Sequence, residues 1–164
     1  MKTEMIEVYC GNGKGKTTLA LGGCMRAALQ GQSVIVIQFL KGKERKELDF
    51  LDEMDIGIKL FRFEKSQKYY QDLSEEEKQE QNVNIINGLN FARKVIVTQE
   101  CDLLVLDEIL GLIDLGIVTA QEVIDVLKAR DDSMRIILTG TNMDNELKEI
   151  VDSITTISTE KTKQ

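Results

Sequence analysis

The nine residues Cys10-Gly11-Asn12-Gly13-Lys14-Gly15-Lys16-Thr17-Thr18 bring together three glycines, two lysines and two threonines. Together these residue types can hold a polyphosphate. Glycines let successive backbone N–H groups turn inward around an anion. A helix beginning at Lys16 adds the donors and the positive dipole end of its first turn. Lys16 offers a point charge to the outer phosphates, and the Thr17 hydroxyl is a ligand for Mg²⁺. Cys10 stands where the general phosphate-binding loop has its first glycine, so the match is degenerate at that position. A second chemical centre is Asp107-Glu108, which closes the apolar run Leu103-Leu104-Val105-Leu106. Carboxylates delivered by a buried strand suit Mg²⁺, directly or through water. An acidic helix start after a core strand would show the same residues.

Both centres need strands whose carboxyl ends share one sheet edge. The apolar runs are short, continuous and separated by amphipathic segments, the pattern of buried parallel strands joined by helices. Strands are predicted at Met5–Tyr9, Val34–Phe39, Ile56–Phe63, Asp102–Glu108, Arg135–Gly140 (with its exit turn) and Ser153–Ser158. The second is apolar on both faces and therefore central; the third and the last belong nearer the edges. A helix from Lys16 to Leu29 stops at Gly31, and another runs from Glu44 to Glu53. Capping boxes at Ser74–Glu77 and Thr119–Glu122 open two more, the first reaching about Thr98 with Gly88 as a weak spot. Asn145–Val151 is a short final helix. The predicted fold class is α/β, doubly wound, with a mainly parallel sheet around a phosphate-binding loop. That is the RecA-like P-loop NTPase architecture, with residues 1–164 as a single nucleotide-binding domain.

Bulk composition excludes several chemistries. A formal charge of -7 and a pI near 4.8 argue against general nucleic-acid or anionic-membrane binding. No histidine is present, so histidine bases, nucleophile–histidine dyads and histidine metal sites are ruled out. The 3 cysteines are widely spaced without a CxxC pair, which fits a reducing compartment and neither a disulfide framework nor a zinc site. No apolar run reaches the roughly 18 residues of a membrane span, and Met1–Glu4 is too short and acidic for a signal peptide. A cytoplasmic location is expected.

Two connections could touch a ligand. The basic loop Lys41–Lys46 leaves the second strand at the edge where ligands gather in open parallel sheets. Lys41 is best placed there, and Lys43, Arg45 and Lys46 read as a solvated turn. The segment Glu64–Asp72, polar apart from Tyr69-Tyr70, is either a substrate loop or a connection whose tyrosines cover the sheet edge.

The string Gly11 to Thr18, Arg26 between Gly22 and Ala27, and Val36-Ile37-Gln38-Phe39-Leu40-Lys41-Gly42 resemble the cob(I)alamin (corrinoid) adenosyltransferases of the phosphate-loop type. Leu104–Glu108 and Leu138-Thr139-Gly140 match later blocks of that family, so the resemblance spans about Met5 to Ser158. It implies that Co(I) of a reduced corrinoid attacks the 5′-carbon of ATP and releases tripolyphosphate. It further implies that Asn12, Gly13, Lys14, Gly15, Lys16, Thr17 and Thr18 hold the triphosphate. Mg²⁺ would sit on Thr17, with Glu108 first and Asp107 next as ligands of the metal or its water. Lys16, Thr17 and Glu108 would be the catalytic residues, and Lys41 would lie near the nucleotide or the corrinoid edge. A homodimer and a flavoprotein reductant are implied as partners. The family's phenylalanine and tryptophan after the third strand are absent, and Thr141 replaces an arginine. The alternative is therefore a related ATP-binding or ATP-hydrolysing module without corrinoid chemistry.

Overall fold

The computed structural model describes residues 5–40, 50–64 and 66–163. Six strands, β1 (Ile6–Cys10), β2 (Val34–Gln38), β3 (Ile58–Arg62), β4 (Leu103–Asp107), β5 (Arg135–Thr139) and β6 (Ser153–Thr156), form one sheet in the order β3-β2-β4-β5-β1-β6. Every neighbouring pair is parallel. The absence of polar alternation accounts for this: β2 and β4 are buried at every residue, which needs helices on both faces. The edges fall at β3 and β6, as the weaker apolar patterns of those segments predict.

The helices divide between the two faces. Helices α1 (Lys16–Leu29) and α2 (Phe50–Met54) pack with Val34, Val36, Leu103, Val105 and Ile137 on one side. On the other lie α3 (Glu75–Val97), α4 (Ile109–Asp114), α5 (Ala120–Lys128) and α6 (Asn145–Lys148), against Val8, Ile35, Ile37, Leu104, Leu106 and Leu138. Both capping boxes are present, at Ser74–Glu77 for α3 and Thr119–Glu122 for α5. Helix α6 is shorter than its sequence suggests, and α4 is an element the sequence pattern does not announce. The 41–46 loop, with Lys41, and the start of the helix expected from Glu44 lie outside the described residues.

Two consequences of this packing reach the site. First, β5 lies between the loop strand β1 and the acid strand β4, so the two chemical centres are separated by one strand. Second, four of the apolar rows on the α1 face end in a polar residue at the carboxyl edge: Arg62, Gln38, Asp107 and Thr139. Gln38 is the register partner of both Arg62 and Asp107.

Gly88 is room for aromatic rings rather than a flaw in α3. A Cβ there would lie 2.8 Å from both Phe39 and Phe63, at the Cγ in the case of Phe63. Phe63 and Phe61 also meet Phe91 of α3, with centroids 5.5 and 4.7 Å apart. Gly88→Ala is accordingly expected to lower stability by about 1–3 kcal/mol through overpacking, against the gain of about 1 kcal/mol that alanine ordinarily brings to a helix. Chemical denaturation checks the sign; a more stable variant contradicts the packing account.

Candidate functional site

Residues 11–15 form the turn between β1 and α1. Gly11 and Gly15 have φ of 108° and 103°, a left-handed conformation that side chains resist. The first intrahelical bond of α1 runs from Leu19 N–H to Gly15 O at 2.8 Å, so the amides of 16–18 point out of the helix end. Gly15 provides no side-chain cap, and no acidic residue occupies the first turn. This is the electrostatic arrangement of an anion site. The Lys16 ammonium curls back over the turn, donating to Gly11 O at 2.8 Å and Gly13 O at 3.0 Å. Its charge is thereby held above the loop before any phosphate arrives.

Chain beyond β6 closes one flank of the turn. Ile157 N–H donates to Cys10 O, Gly13 N–H donates to Ile157 O at 2.9 Å, and Lys14 N–H donates to Thr159 Oγ1 at 3.3 Å. A Cβ on Gly11 would lie 2.3 Å from Ile157 O, and one on Gly13 would lie 2.8 Å from the Ile157 and Ser158 backbone. Two of the three loop glycines are thus demanded by this neighbour. Gly15, by contrast, has open space and a positive φ.

The two predicted centres meet through side chains. Thr17 Oγ1 donates to Asp107 Oδ1 at 2.9 Å, and Thr139 Oγ1 donates to the same oxygen at 2.7 Å. Asp107 Oδ2 accepts from Gln38 Nε2 at 3.1 Å, and Gln38 Oε1 accepts from Arg62 Nε at 3.0 Å. Asp107 and Thr139 are 0% exposed and Gln38 is 3% exposed. Glu108 follows in a left-handed conformation, φ 63°, half-buried at the start of α4, with its N–H donated to Thr139 Oγ1 at 2.8 Å. Of the two predicted acids, the structure therefore holds Asp107 against Thr17 and places Glu108 beside it. Lys16 and Thr17 are half-buried, while Asn12, Lys14, Gly15 and Thr18 are exposed along the turn.

Sequence inspection missed the roles of Gln38, Arg62 and Thr139. The signal for Gln38 was a lone amide ending an otherwise apolar strand. Thr139 became legible only once β5 was known to lie beside β4. The tyrosines of the 64–72 segment diverge: Tyr69 is 38% exposed, whereas Tyr70 donates to Asn82 Oδ1 at 2.8 Å beside the start of α3.

The oxygens at this edge fit Mg²⁺. That ion takes one or two carboxylates and completes its shell with water and substrate phosphates. A hydroxyl, Asp107 and Glu108 supply such hard donors. Among the described residues no group of three or more His, Cys, Asp or Glu could hold a metal alone. The chemistry suits a cation that arrives with phosphate.

Comparison with known proteins accounts for the combination. The family model described as ATP:corrinoid adenosyltransferase BtuR/CobO/CobP matches residues 2–164. The chain belongs to this corrinoid adenosyltransferase family. Its relatives include the corrinoid adenosyltransferase of Escherichia coli (strain K12), 26% identical over 151 residues, covering 92% of this chain and 74% of that protein. Corrinoid adenosyltransferase CobA of Salmonella typhimurium (strain LT2) is 26% identical over 155 residues with the same coverage. Among solved structures, an ATPase of a type III secretion system superposes with a TM-score of 0.49 at 16% identity, covering 96% of this chain and 51% of that one.

In this corrinoid adenosyltransferase family member the cysteines lie inside the fold. All three are buried, and burial pushes the Cys24 and Cys101 thiols up to about 12. A cleft of about 870 Å³ runs along the outer flank of α1, from Lys14 and Gly15 to Arg26 and Arg135. Glu7, also in its wall, pairs with Arg135 at 3.3 Å, so the cleft carries net positive charge. No described helix is long and apolar enough to cross a membrane.

Proposed function

We propose that this protein transfers the 5′-deoxyadenosyl group of ATP to Co(I) of a reduced corrinoid. In that reaction the cobalt lone pair forms the Co–C bond as the C5′–O bond breaks, and the bonding electrons leave on tripolyphosphate. The observation that carries the proposal is the joined Lys16–Thr17–Asp107 edge in a chain of the corrinoid adenosyltransferase family. Co(I) is a strong nucleophile and needs no general base, so a site without histidine suffices. What remains for the protein is to orient ATP and to stabilise charge on the leaving group.

The turn from Asn12 to Thr18 receives the triphosphate, with Lys16 exchanging its loop carbonyls for phosphate oxygens and Lys14 adding a second charge. Mg²⁺ neutralises the leaving phosphates when bound. Thr17, Asp107 and Glu108 are the side chains that hold it. Lys16, Thr17 and Glu108 touch the reacting nucleotide and are the catalytic residues of this assignment. Lys41 would stand near the nucleotide or the corrinoid edge. The same reading makes residues 1–164 one domain of a cytoplasmic homodimer, supplied with electrons by a flavoprotein.

The test is incubation of the protein with ATP and chemically reduced corrinoid under strict exclusion of oxygen. A light-sensitive adenosylated corrinoid is the expected product. ATP binding without that product under full reduction supports the ATP-binding or ATP-hydrolysing module instead.

A further inference from the structure

The row of polar side chains at the carboxyl edge does more than fill space. Asp107 Oδ1 faces Thr17 and Thr139, and Oδ2 faces Gln38. Gln38 is an amide and could present either end to the carboxylate. Arg62 decides the matter, because a guanidinium only donates: Gln38 Oε1 turns to Arg62 Nε, which leaves Nε2 for Asp107 Oδ2. The two bonds are 3.0 and 3.1 Å, and the amide between them is 3% exposed. Register makes this possible, since Arg62, Gln38 and Asp107 are cross-strand partners on β3, β2 and β4.

We infer that Gln38 and Arg62 are positioning residues for the cation site. Arg62 locks the Gln38 amide, and the amide pins one oxygen of Asp107 so that the other stays aimed at the Thr17 hydroxyl. A neutral spacer is the informative feature. An arginine paired directly with Asp107 would place a fixed positive charge where a divalent cation must bind, and the two would compete. Gln38 passes on orientation without bringing that charge close. Groups that orient a metal ligand are worth about 10–100-fold in metal affinity when removed. The inference rests on the reading of this edge as a Mg²⁺–ATP site.

The experiment is calorimetric titration of ATP into the intact protein over a series of Mg²⁺ concentrations, with thermal melting in parallel. The proteins compared are the wild type and the Gln38→Met, Arg62→Met and Arg62→Lys variants. Gln38→Met is expected to need about 10-fold more Mg²⁺ to reach half of the metal-dependent gain in affinity, with metal-free ATP binding unchanged. Arg62→Met moves in the same direction, and Arg62→Lys, which can still donate to Gln38 Oε1, recovers part of the difference. Should Gln38→Met not fold, the two Arg62 variants on the edge strand carry the comparison. An unchanged Mg²⁺ midpoint in a wild type that does respond to Mg²⁺ overturns the inference alone. So does an equal loss of affinity with and without metal, which would mark a structural role. A wild type whose ATP affinity ignores Mg²⁺ overturns the site reading, and this inference with it.

Discussion

Lys16→Ala is expected to reduce the proposed adenosyl transfer by about 10²–10³-fold, the loss seen when one preorganised donor to a developing anion is removed. Lys16 is the side chain whose ammonium already spans the loop, bonded to Gly11 O and Gly13 O. Its replacement also deletes two hydrogen bonds in a half-buried turn, each contributing about 1 kcal/mol to stability. The fold survives this, because the strands and helices on either side have their own packed contacts. The signature is therefore a large fall in kcat/KM for ATP with a small fall in melting temperature. Steady-state kinetics beside a thermal melt separates the two. Activity close to wild type would remove Lys16 from the site.

Asp107→Asn has the second largest expected effect. The carboxylate accepts hydrogen bonds from Thr17, Thr139 and Gln38, with no exposure to water. An asparagine must turn its NH₂ toward at least one of those donors, leaving a buried mismatch that costs about 1–3 kcal/mol. It also removes the negative charge nearest to Thr17. Transfer is expected to fall about 100-fold or more, and raising Mg²⁺ does not restore it. Conversely, recovery at high Mg²⁺ would make Glu108 the main ligand, with Asp107 confined to holding Thr17.

Local features of the fold could be read along the chain because local chemistry specifies them. Helix α1 begins at Lys16 behind a left-handed glycine and ends before Gly31, and both boundaries are punctuated by the residue type the turn requires. The capping boxes of α3 and α5 work the same way, through atoms three residues apart. Helix α4 escaped because Ile109, Leu110, Leu112 and Ile113 continue the apolar run of β4, and a short buried helix has no distinguishing period. The break between the two is Glu108, whose positive φ turns the chain.

Strand order was illegible for a different reason. Nothing near Thr139 states that β5 pairs with β4, yet that pairing brings its hydroxyl to Asp107. The same holds for the path from Arg62 through Gln38. Gly88 shows the opposite error: counted along the chain it weakens a helix, while in three dimensions it admits Phe39 and Phe63. Beside Gly11 and Gly13 the structure places the backbone after β6, a neighbour that nothing local to the loop announces.

Adenosyl transfer and ATP hydrolysis differ in which bond of ATP breaks across this loop. Phosphorus NMR of a completed reaction with reduced corrinoid decides between them directly. Tripolyphosphate is expected in proportion to the adenosylated corrinoid, with the cut at the ribose 5′-carbon. Accumulation of ADP and orthophosphate, with no tripolyphosphate, would contradict adenosyl transfer.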